Sequence, residues 1–510
     1  MDEKCIKAPF FTVETVFKDT AEVPVDIEFN LPDYYPEISR ILKCRAVPRV
    51  SSKATSNRGI TVDGGVTVTV IYADGDNMIN SYEYQYPFSK SFEIGEETDD
   101  AFVSVKAKCE YVNCRAVTER KIDIHGAMGI CLSVSVRKKR EILCGVDDCN
   151  IEVRRRTAPV TTPVASAEKY VILEEELEIG NSQPDIKCLI RYDAAAVVTE
   201  CKLLAGKAVV KGNVAVNLIY RGEEGETQPF DAVIPFSQLI ETGNADDSFI
   251  PTASAALAYL EVKPKPGSSE PSRAFLLDGK LLISVDVSKN DEIEVISDAY
   301  SRKYEAQITG EEICVNKAVC NIDDTFTCKK EIEFSSDGVS RVLDIWCDVK
   351  SENAAFSGDC LLISGSVNAG IIAADKTGAP AYFEKSIDYE YSYKLPACGQ
   401  NLRAEPTVTA RGVNYTISSE NSMEIRIETA VSAAVYECEK ISAVSEVRID
   451  EDKLIADNRR AAMTVYFAEP GENVWDISRR YLADVGNVRR LNGIEQDEIT
   501  KRQIILVPAN

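Results

Sequence analysis

The sequence predicts a mainly β protein: three tandem antiparallel β-sandwich or barrel-like repeats followed by a small βααβ module. Three observations lead there. Slid against itself by 148 residues, the chain aligns 36–72 without a gap onto 184–220, with ten identities in 37 positions, where ordinary composition gives roughly two or three by chance. Inside each copy apolar residues alternate with polar ones. Val103, Val105, Ala107, Cys109 and Tyr111 interleave with Ser104, Lys106, Lys108 and Glu110, as a strand with one buried and one wet face requires. A helical period of useful length is legible only after residue 470.

In chain order, 1–30 reads as an N-terminal segment, 31–145 as the first repeat, 168–303 as the second, 330–447 as the third, 448–462 as a charged linker and 463–510 as the terminal module. The third copy lies 301 residues from the first: Ile38, Ser39, Arg40, Ile41 and Leu42 meet Val339, Ser340, Arg341, Val342 and Leu343. Alternation recurs through Met128, Ile130, Leu132, Val134 and Val136, and through Met423, Ile425, Ile427 and Val431. Turn formers separate these runs, among them Asp63-Gly64-Gly65, Asp74-Gly75-Asp76-Asn77 and Lys265-Pro266-Gly267-Ser268. Gly64, Gly212 and Gly365 each open a strand, which predicts a bulge or tight turn fixed by the fold. They do not form a phosphate loop, because no GxxxxGK[ST] follows a strand.

The stretch Arg154-Arg155-Arg156 through Pro163 is polar and patternless, as a solvated connection or edge strand is, and 448–460 is dense in charge. Proteolysis is expected near 154–165 and 448–460, with the tail moving relative to the repeats.

Charge and cysteine content narrow the class. The chain holds 58 basic and 82 acidic residues, a formal −24, which disfavours the nucleic-acid backbone and anionic membrane surfaces as partners. The acid lies before residue 460, since 464–510 has six basic and seven acidic residues. No window approaches the roughly 18 uncharged apolar residues of a membrane-spanning helix, and the first residues show no signal-peptide pattern. The 16 cysteines form no CxxC pair and are expected as reduced thiols. With one histidine, His125, the chain offers no metal-ligand set and no cofactor motif.

Catalysis is not expected. A Ser-His-Asp or Cys-His arrangement would have to use His125, placed at a turn between two strands, and copies two and three lack it. The neighbours Asp99-Asp100 and Asp246-Asp247 fall in loop-like stretches, where two carboxylates do not acquire the distinct environments of an acid and a base.

The tail carries the functional signal. Val474, Ile477, Ser478 and Tyr481 share a helical face behind an Asn473 N-cap, and Val485, Val488 and Leu491 form a second face closed by Asn492-Gly493. With Val465-Tyr466, Pro470-Gly471-Glu472, Trp475-x-Ile477, Leu491-Asn492 and the run from Gln503 to Pro508, it resembles the LysM domain, a βααβ module whose family binds N-acetylglucosamine-containing glycans or protein partners. This copy has Glu472-Asn473 where family members usually carry Asp then Thr or Ser, and Lys501-Arg502 in place of Pro-Gly. The resemblance implies a partner- or glycan-binding groove formed by Gly471, Glu472, Asn473, Val474, Trp475, Asn492, Gly493, Ile494 and Gln503. Trp475 is read either as the module's core anchor or, if exposed, as an interface hot spot.

Over the whole chain, the repeated Pro36-x-Ile38 with Val62-x-Gly64-x-Val66 to Tyr72, and Pro184-x-Ile186 with Val210-x-Gly212-x-Val214 to Tyr220, ahead of a LysM-like tail, resembles the SipL-type spore coat morphogenetic proteins with their SPOCS domains. That resemblance implies a non-enzymatic adaptor in the mother-cell cytoplasm, at the forespore surface or spore coat. Its LysM domain would dock on a coat-anchoring ATPase of the SpoIVA type, its repeats would act as scaffold, and self-association is an open option. The alternative is a wall or cortex anchor that binds peptidoglycan or N-acetylglucosamine oligomers.

Overall fold

The computed structural model describes residues 5–95, 101–243, 245–266, 272–334, 339–396, 399, 401–419, 421–455 and 462–509. The Asp99-Asp100 pair and Gly267-Ser268 lie outside them.

Strand is the dominant conformation. The first repeat comprises β1 (Cys5–Asn30), β2 (Arg40–Ser56), β3 (Gly59–Ala73), β4 (Ile79–Glu93), β5 (Ala101–Ala116) and β6 (Lys121–Val146). The second comprises β7 (Ile151–Glu178), β8 (Ile186–Leu204), β9 (Lys207–Gly222), β10 (Thr227–Glu241), β11 (Ile250–Pro264) and β12 (Ala274–Ser301). The third comprises β13 (Tyr304–Glu333), β14 (Arg341–Ser357), β15 (Cys360–Ala374), β16 (Pro380–Lys394), β17 (Leu402–Ala404), β18 (Thr407–Ser419) and β19 (Ser422–Leu454). Strands β14, β15 and β16 stand 301 residues beyond β2, β3 and β4 at both ends, the offset read from the sequence.

Each repeat is two antiparallel sheets face to face. A meander forms one sheet, in the orders β2-β3-β4, β8-β9-β10 and β14-β15-β16; the first, last and fifth strands form the other, as β1-β6-β5, β7-β12-β11 and β13-β19 with β17 and β18. Alternation places the inward residues of both sheets in one core per repeat, such as Val66, Val68 and Val70 against Ile122, Ile124 and Met128. Strand two lies beside strand five in every copy, so one side of the sandwich is partly closed.

Two recurrent motifs find their physical cause here. The Tyr72 hydroxyl donates to the Pro36 carbonyl at 3.0 Å, and Tyr220 to Pro184 at 3.1 Å, tying the end of the third strand to the chain entering the second. The third copy has Ala373 at this position and lacks the lock, in keeping with its weaker sequence signal. Gly64 and Gly212 sit under the rings of Phe88 and Phe236. A Cβ would come within 2.2 Å of the Arg49 and Val197 carbonyls and 2.4 Å of those rings. The expected bulges lie opposite, between Val50 and Ser52 and between Val198 and Glu200. Glycine is required by close approach of a facing strand rather than by a turn.

The three sandwiches close into a ring. Strand β4 abuts β8, β10 abuts β14, and β16 abuts β2, the head-to-tail closure of a cyclic trimer built within one chain. Around the resulting axis Leu42, Ile190 and Leu343, together with Ile71, Ile219 and Ile372, bury a shared cluster of equivalent residues. Charges beside it break the symmetry. Positions equivalent across the copies read Lys43, Arg191, Asp344 and Arg45, Asp193, Trp346. Arg191 grips Asp344 through two hydrogen bonds of 2.7 and 2.8 Å, and Arg45 reaches Asp193 at 2.8 Å and Asp348 at 3.1 Å.

The first and last strands of each repeat outrun the sandwich and form ribbons β1·β6, β7·β12 and β13·β19. These converge on common apolar clusters that include Phe10, Val160, Val295, Ile313 and Ile441, then Leu143, Ile151, Ile296 and Val444. This stalk alters several expectations. Residues 5–30 are strand β1 of the first repeat rather than a separate segment, and 154–163 is ordered strand inside β7, the edge-strand alternative rather than a connection. Pro159 and Pro163 are tolerated because β7 is an edge strand. Arg154, Arg155 and Arg156, about half exposed, pair with Asp497, Glu294 and Glu439 respectively. Residues 448–454 continue β19.

His125 is also not at a turn. It lies within β6, opposite Asp26 of β1, with Nδ1 2.8 Å from Asp26 and Nε2 3.1 Å from Asp123. The hydrogen bond to Asp26 and the charge of Asp123 raise its pKa above the ordinary 6.5. The contribution to stability is therefore complete below the unfolded-state pKa and is lost as pH rises through the folded one. Because the chain has a single imidazole, its NMR resonances should titrate with a midpoint above 6.5. Asp26→Asn should lower that midpoint; an unchanged midpoint would contradict the pairing.

Candidate functional site

The tail adopts the β-α-α-β order expected of it: β20 (Met463–Ala468), α1 (Val474–Arg480), α2 (Val485–Asn492) and β21 (Gln503–Pro508). Local chemistry sets each boundary. Asn473 caps α1, its Oδ1 accepting from the Asp476 N–H at 2.7 Å, and Asp484 caps α2 by accepting from Asn487 N–H at 2.8 Å. Gly493 ends α2 at φ 65°, in the left-handed region that favours glycine. The helical faces bury Val474, Ile477, Ser478, Val485 and Val488 against Ile505 and Val507, while Leu491 remains exposed.

The nine groove candidates fall into distinct roles. Gly471, Glu472 and Asn473 lie in one loop, Gly493 and Ile494 at the start of the other, and backbone hydrogen bonds join the two loops: Gly471 N–H to Ile499 O, Ile499 N–H to Glu472 O, and Val474 N–H to Asp497 O, at 2.7–2.8 Å. Glu472 is further engaged by the Tyr466 hydroxyl at 2.5 Å and the Glu469 N–H at 2.8 Å, which hold its carboxyl below the ordinary range. Asn492 is a clamp, donating to the Val488 and Leu506 carbonyls and accepting from Leu506 N–H. Val474 is fully buried, and Gln503 opens β21 opposite Ala468.

Trp475 is only 3% exposed, and part of what covers it is another repeat. Its ring meets Tyr300 edge-on at 5.1 Å between centroids, and its N–H donates to Asp298 at 2.8 Å. Both partners belong to the stalk end of β12. Arg479 pairs with the same Asp298 at 2.6 Å, the Tyr300 hydroxyl donates to the Ala483 carbonyl at 2.6 Å, and Arg302 reaches Asp484 at 3.0 Å. From β7, Arg154 reaches Asp497 at 3.1 Å. Beside them Glu152 is pushed up by burial and by the Asp484 charge. The tail is thus seated on the second repeat's ribbon, contrary to the mobility expected of it, and Trp475 is part of that seat rather than of an open groove.

A different face of the tail is open. Residues 463, 465 and 467 of β20 and 504, 506 and 508 of β21 point away from the helices, in the cross-strand pairs Met463–Pro508, Val465–Leu506 and Phe467–Ile504. All six are apolar; Phe467 is 64% exposed, Ile504 55% and Val465 53%. The period-two pattern was present in the sequence, but nothing there told which face the helices cover. Arg502, paired with Glu469 at 3.1 Å, borders this face.

A second concavity, a cleft of about 1740 Å³, opens where the three repeats meet above the stalk. It is lined by hydroxyls such as Ser104, Ser133, Ser254 and Ser284, and its charges are paired across repeats, Lys53 with Glu168 at 2.6 Å and Lys18 with Glu405 at 3.1 Å. It brings the three repeats together.

The architecture defines a tandem-repeat β protein with an appended βααβ module. Residues 37–117 and 185–265 match the family model described as SipL, SPOCS domain. The two segments lie 148 residues apart, the internal offset read from the sequence, and cover about a third of the chain. These two repeats are SPOCS domains of the SipL kind. Each match spans strands two to five and leaves out the ribbon strands. The third repeat shares their architecture without being matched, and the matched segments do not include the tail. No curated protein and no solved structure matches the chain.

Proposed function

We propose that the chain is a non-enzymatic adaptor in endospore coat assembly, working in the mother-cell cytoplasm at the forespore surface. The ring of three repeats serves as a rigid acidic scaffold, and the LysM-like tail docks a protein of the coat-anchoring ATPase class. The observation that carries this reading is the outward face of β20 and β21, apolar at all six positions, because an exposed apolar patch of this kind marks a protein contact. The stalk fixes this face in orientation by seating the opposite side of the module. Support for a protein ligand over a glycan comes from the loops, where the Gly471, Val474 and Ile499 N–H groups are already spent on the Ile499, Asp497 and Glu472 carbonyls. Support for a non-catalytic role comes from His125, an exposed side chain held between two carboxylates.

The test compares binding of the full chain to the coat-anchoring ATPase of the same organism and to peptidoglycan or chitin oligomers. ATPase binding that falls at least about tenfold in Phe467→Glu, as the loss of a central apolar contact predicts, with no sugar binding, supports the adaptor. Sugar binding alone would make the tail a wall or cortex anchor. ATPase binding insensitive to Phe467→Glu would remove the apolar face from the interface.

A further inference from the structure

The third repeat carries two cysteines in contact at its surface. Cys314 of β13 and Cys438 of β19 have their Sγ atoms 2.7 Å apart. The register places them diagonally, Cys314 opposite Lys440 and Cys438 opposite Asn316. A bulge between Ala318 and Cys320 lies just beyond. Bulges sharpen the right-handed twist of an antiparallel ribbon, and that twist draws one diagonal of the ribbon together.

The surroundings favour chemistry over packing. Cys314 is exposed and Cys438 half-buried. Lys440 and Arg403, both on the surface, place positive charge near Cys438. The hydrogen bond with Cys314, followed by burial, outweighs those charges and raises the Cys438 thiol. Cys44, which is hydrogen-bonded to Cys114 in the first repeat, makes the contrast in exposure: it is buried. At the positions 301 residues earlier than Cys314 and Cys438 the first repeat has Val13 and Arg137, so the pair is not a general device of the fold.

We propose that Cys314 and Cys438 form a redox-controlled disulfide site that staples the first strand of the third repeat to its last. The oxidant class is a small-molecule disulfide such as oxidised glutathione. Cys314, the more exposed sulfur, attacks as thiolate, forming a mixed disulfide and expelling one glutathione thiolate; Cys438 then displaces the second. One small-molecule S–S bond and two protein S–H bonds become one protein S–S bond and two glutathione S–H bonds, so electrons and protons balance. The contact between the sulfurs makes the second step intramolecular and faster than capture by another glutathione. The two cysteines are 124 positions apart, and the strands β14 to β18 lie between them. The closed loop therefore holds nearly the whole third repeat and strips its unfolded state of freedom.

The full chain is incubated with reduced and oxidised glutathione over a range of ratios, remaining thiols are alkylated, and peptides are mapped by mass spectrometry. The expected result is a cross-linked 314–438 peptide two hydrogens lighter than the reduced pair, with exposed Cys149 left as thiol or glutathione adduct. The oxidised chain should unfold several degrees higher, an increment reversed by dithiothreitol and absent in Cys314→Ser and in Cys438→Ser. The reduced midpoint should be the same in wild type and both variants, which separates a redox role from a packing one. Separate glutathione adducts on both cysteines, or a disulfide between chains at Cys314, would overturn the proposal.

Discussion

Replacing Tyr300 with alanine releases the tail from the stalk while leaving the tail's own fold in place. Tyr300 is 4% exposed, stacks edge-on against Trp475 and donates to the Ala483 carbonyl, yet it belongs to β12, so truncating it removes the seat without cutting a side chain of the module. Loss of a buried aromatic costs about 3–5 kcal/mol, and here the cost falls on docking. Hydrogen exchange read by mass spectrometry should rise over α1 and the 493–499 loop, with the sandwich cores unchanged. Trp475→Ala should do more, because Trp475 also packs with Val474, Ile477 and Ile505 in the tail's core; the tail should then lose helical circular dichroism as well. Asp298→Ala, which removes the partner of both Trp475 and Arg479, should resemble Tyr300→Ala with a smaller effect. Exchange in Tyr300→Ala identical to wild type would show that these contacts do not hold the tail.

Those contacts also explain what could be read from the sequence and what could not. Alternation in 103–111 and 128–136 gave β5 and β6, because a strand with one wet face writes its geometry into consecutive residues. The caps Asn473 and Gly493 were legible for the same reason: their chemistry is local. The stalk was not. In 151–163 the buried positions are Ile151, Ala158 and Val160, small and irregularly spaced, because a ribbon packed among other ribbons presents only part of each face. The pairing of the arginines there was not legible because their partners, Asp497, Glu294 and Glu439, lie between 139 and 343 positions away. His125 looked like a turn residue because Gly126 follows it. The structure gives that glycine another cause: a Cβ would come within 2.6 Å of the Tyr111 carbonyl on the neighbouring strand. In the tail, sequence identified the module and most of its loops but not which side would be covered. Trp475 was ambiguous between core and interface because its partner, Asp298, is 177 positions away. The open face of β20 and β21 became visible only once the helices were placed.

The second large effect is expected at the ring's axis. Arg191 and Asp344 come from different repeats, their side chains are 4% and 2% exposed, and two hydrogen bonds join them. Burial alone would depress the guanidinium; the Asp344 and Asp193 carboxylates more than offset it and keep it charged, with its pKa raised. Trp346 lies within 5.3 Å of the Arg191 guanidinium and adds a cation–π contact. Removing one partner leaves a charge in a site with no water to solvate it, so Asp344→Ala should destabilise by about 3–5 kcal/mol, a drop on the order of 10 °C in the melting midpoint of a unit this size. Arg191→Ala should cost as much, although Asp193 retains Arg45 at 2.8 Å. The double replacement Arg191→Met with Asp344→Leu should recover most of the loss, since paired apolar residues of similar volume avoid the desolvation that the ion pair incurs. If the double variant melts as low as the singles, the pair supplies more than mutual compensation and the registration of the second and third repeats depends on it. A full recovery means that packing of Ile190, Ile219 and Ile372 closes the ring, with the charges serving to keep three similar surfaces from exchanging places.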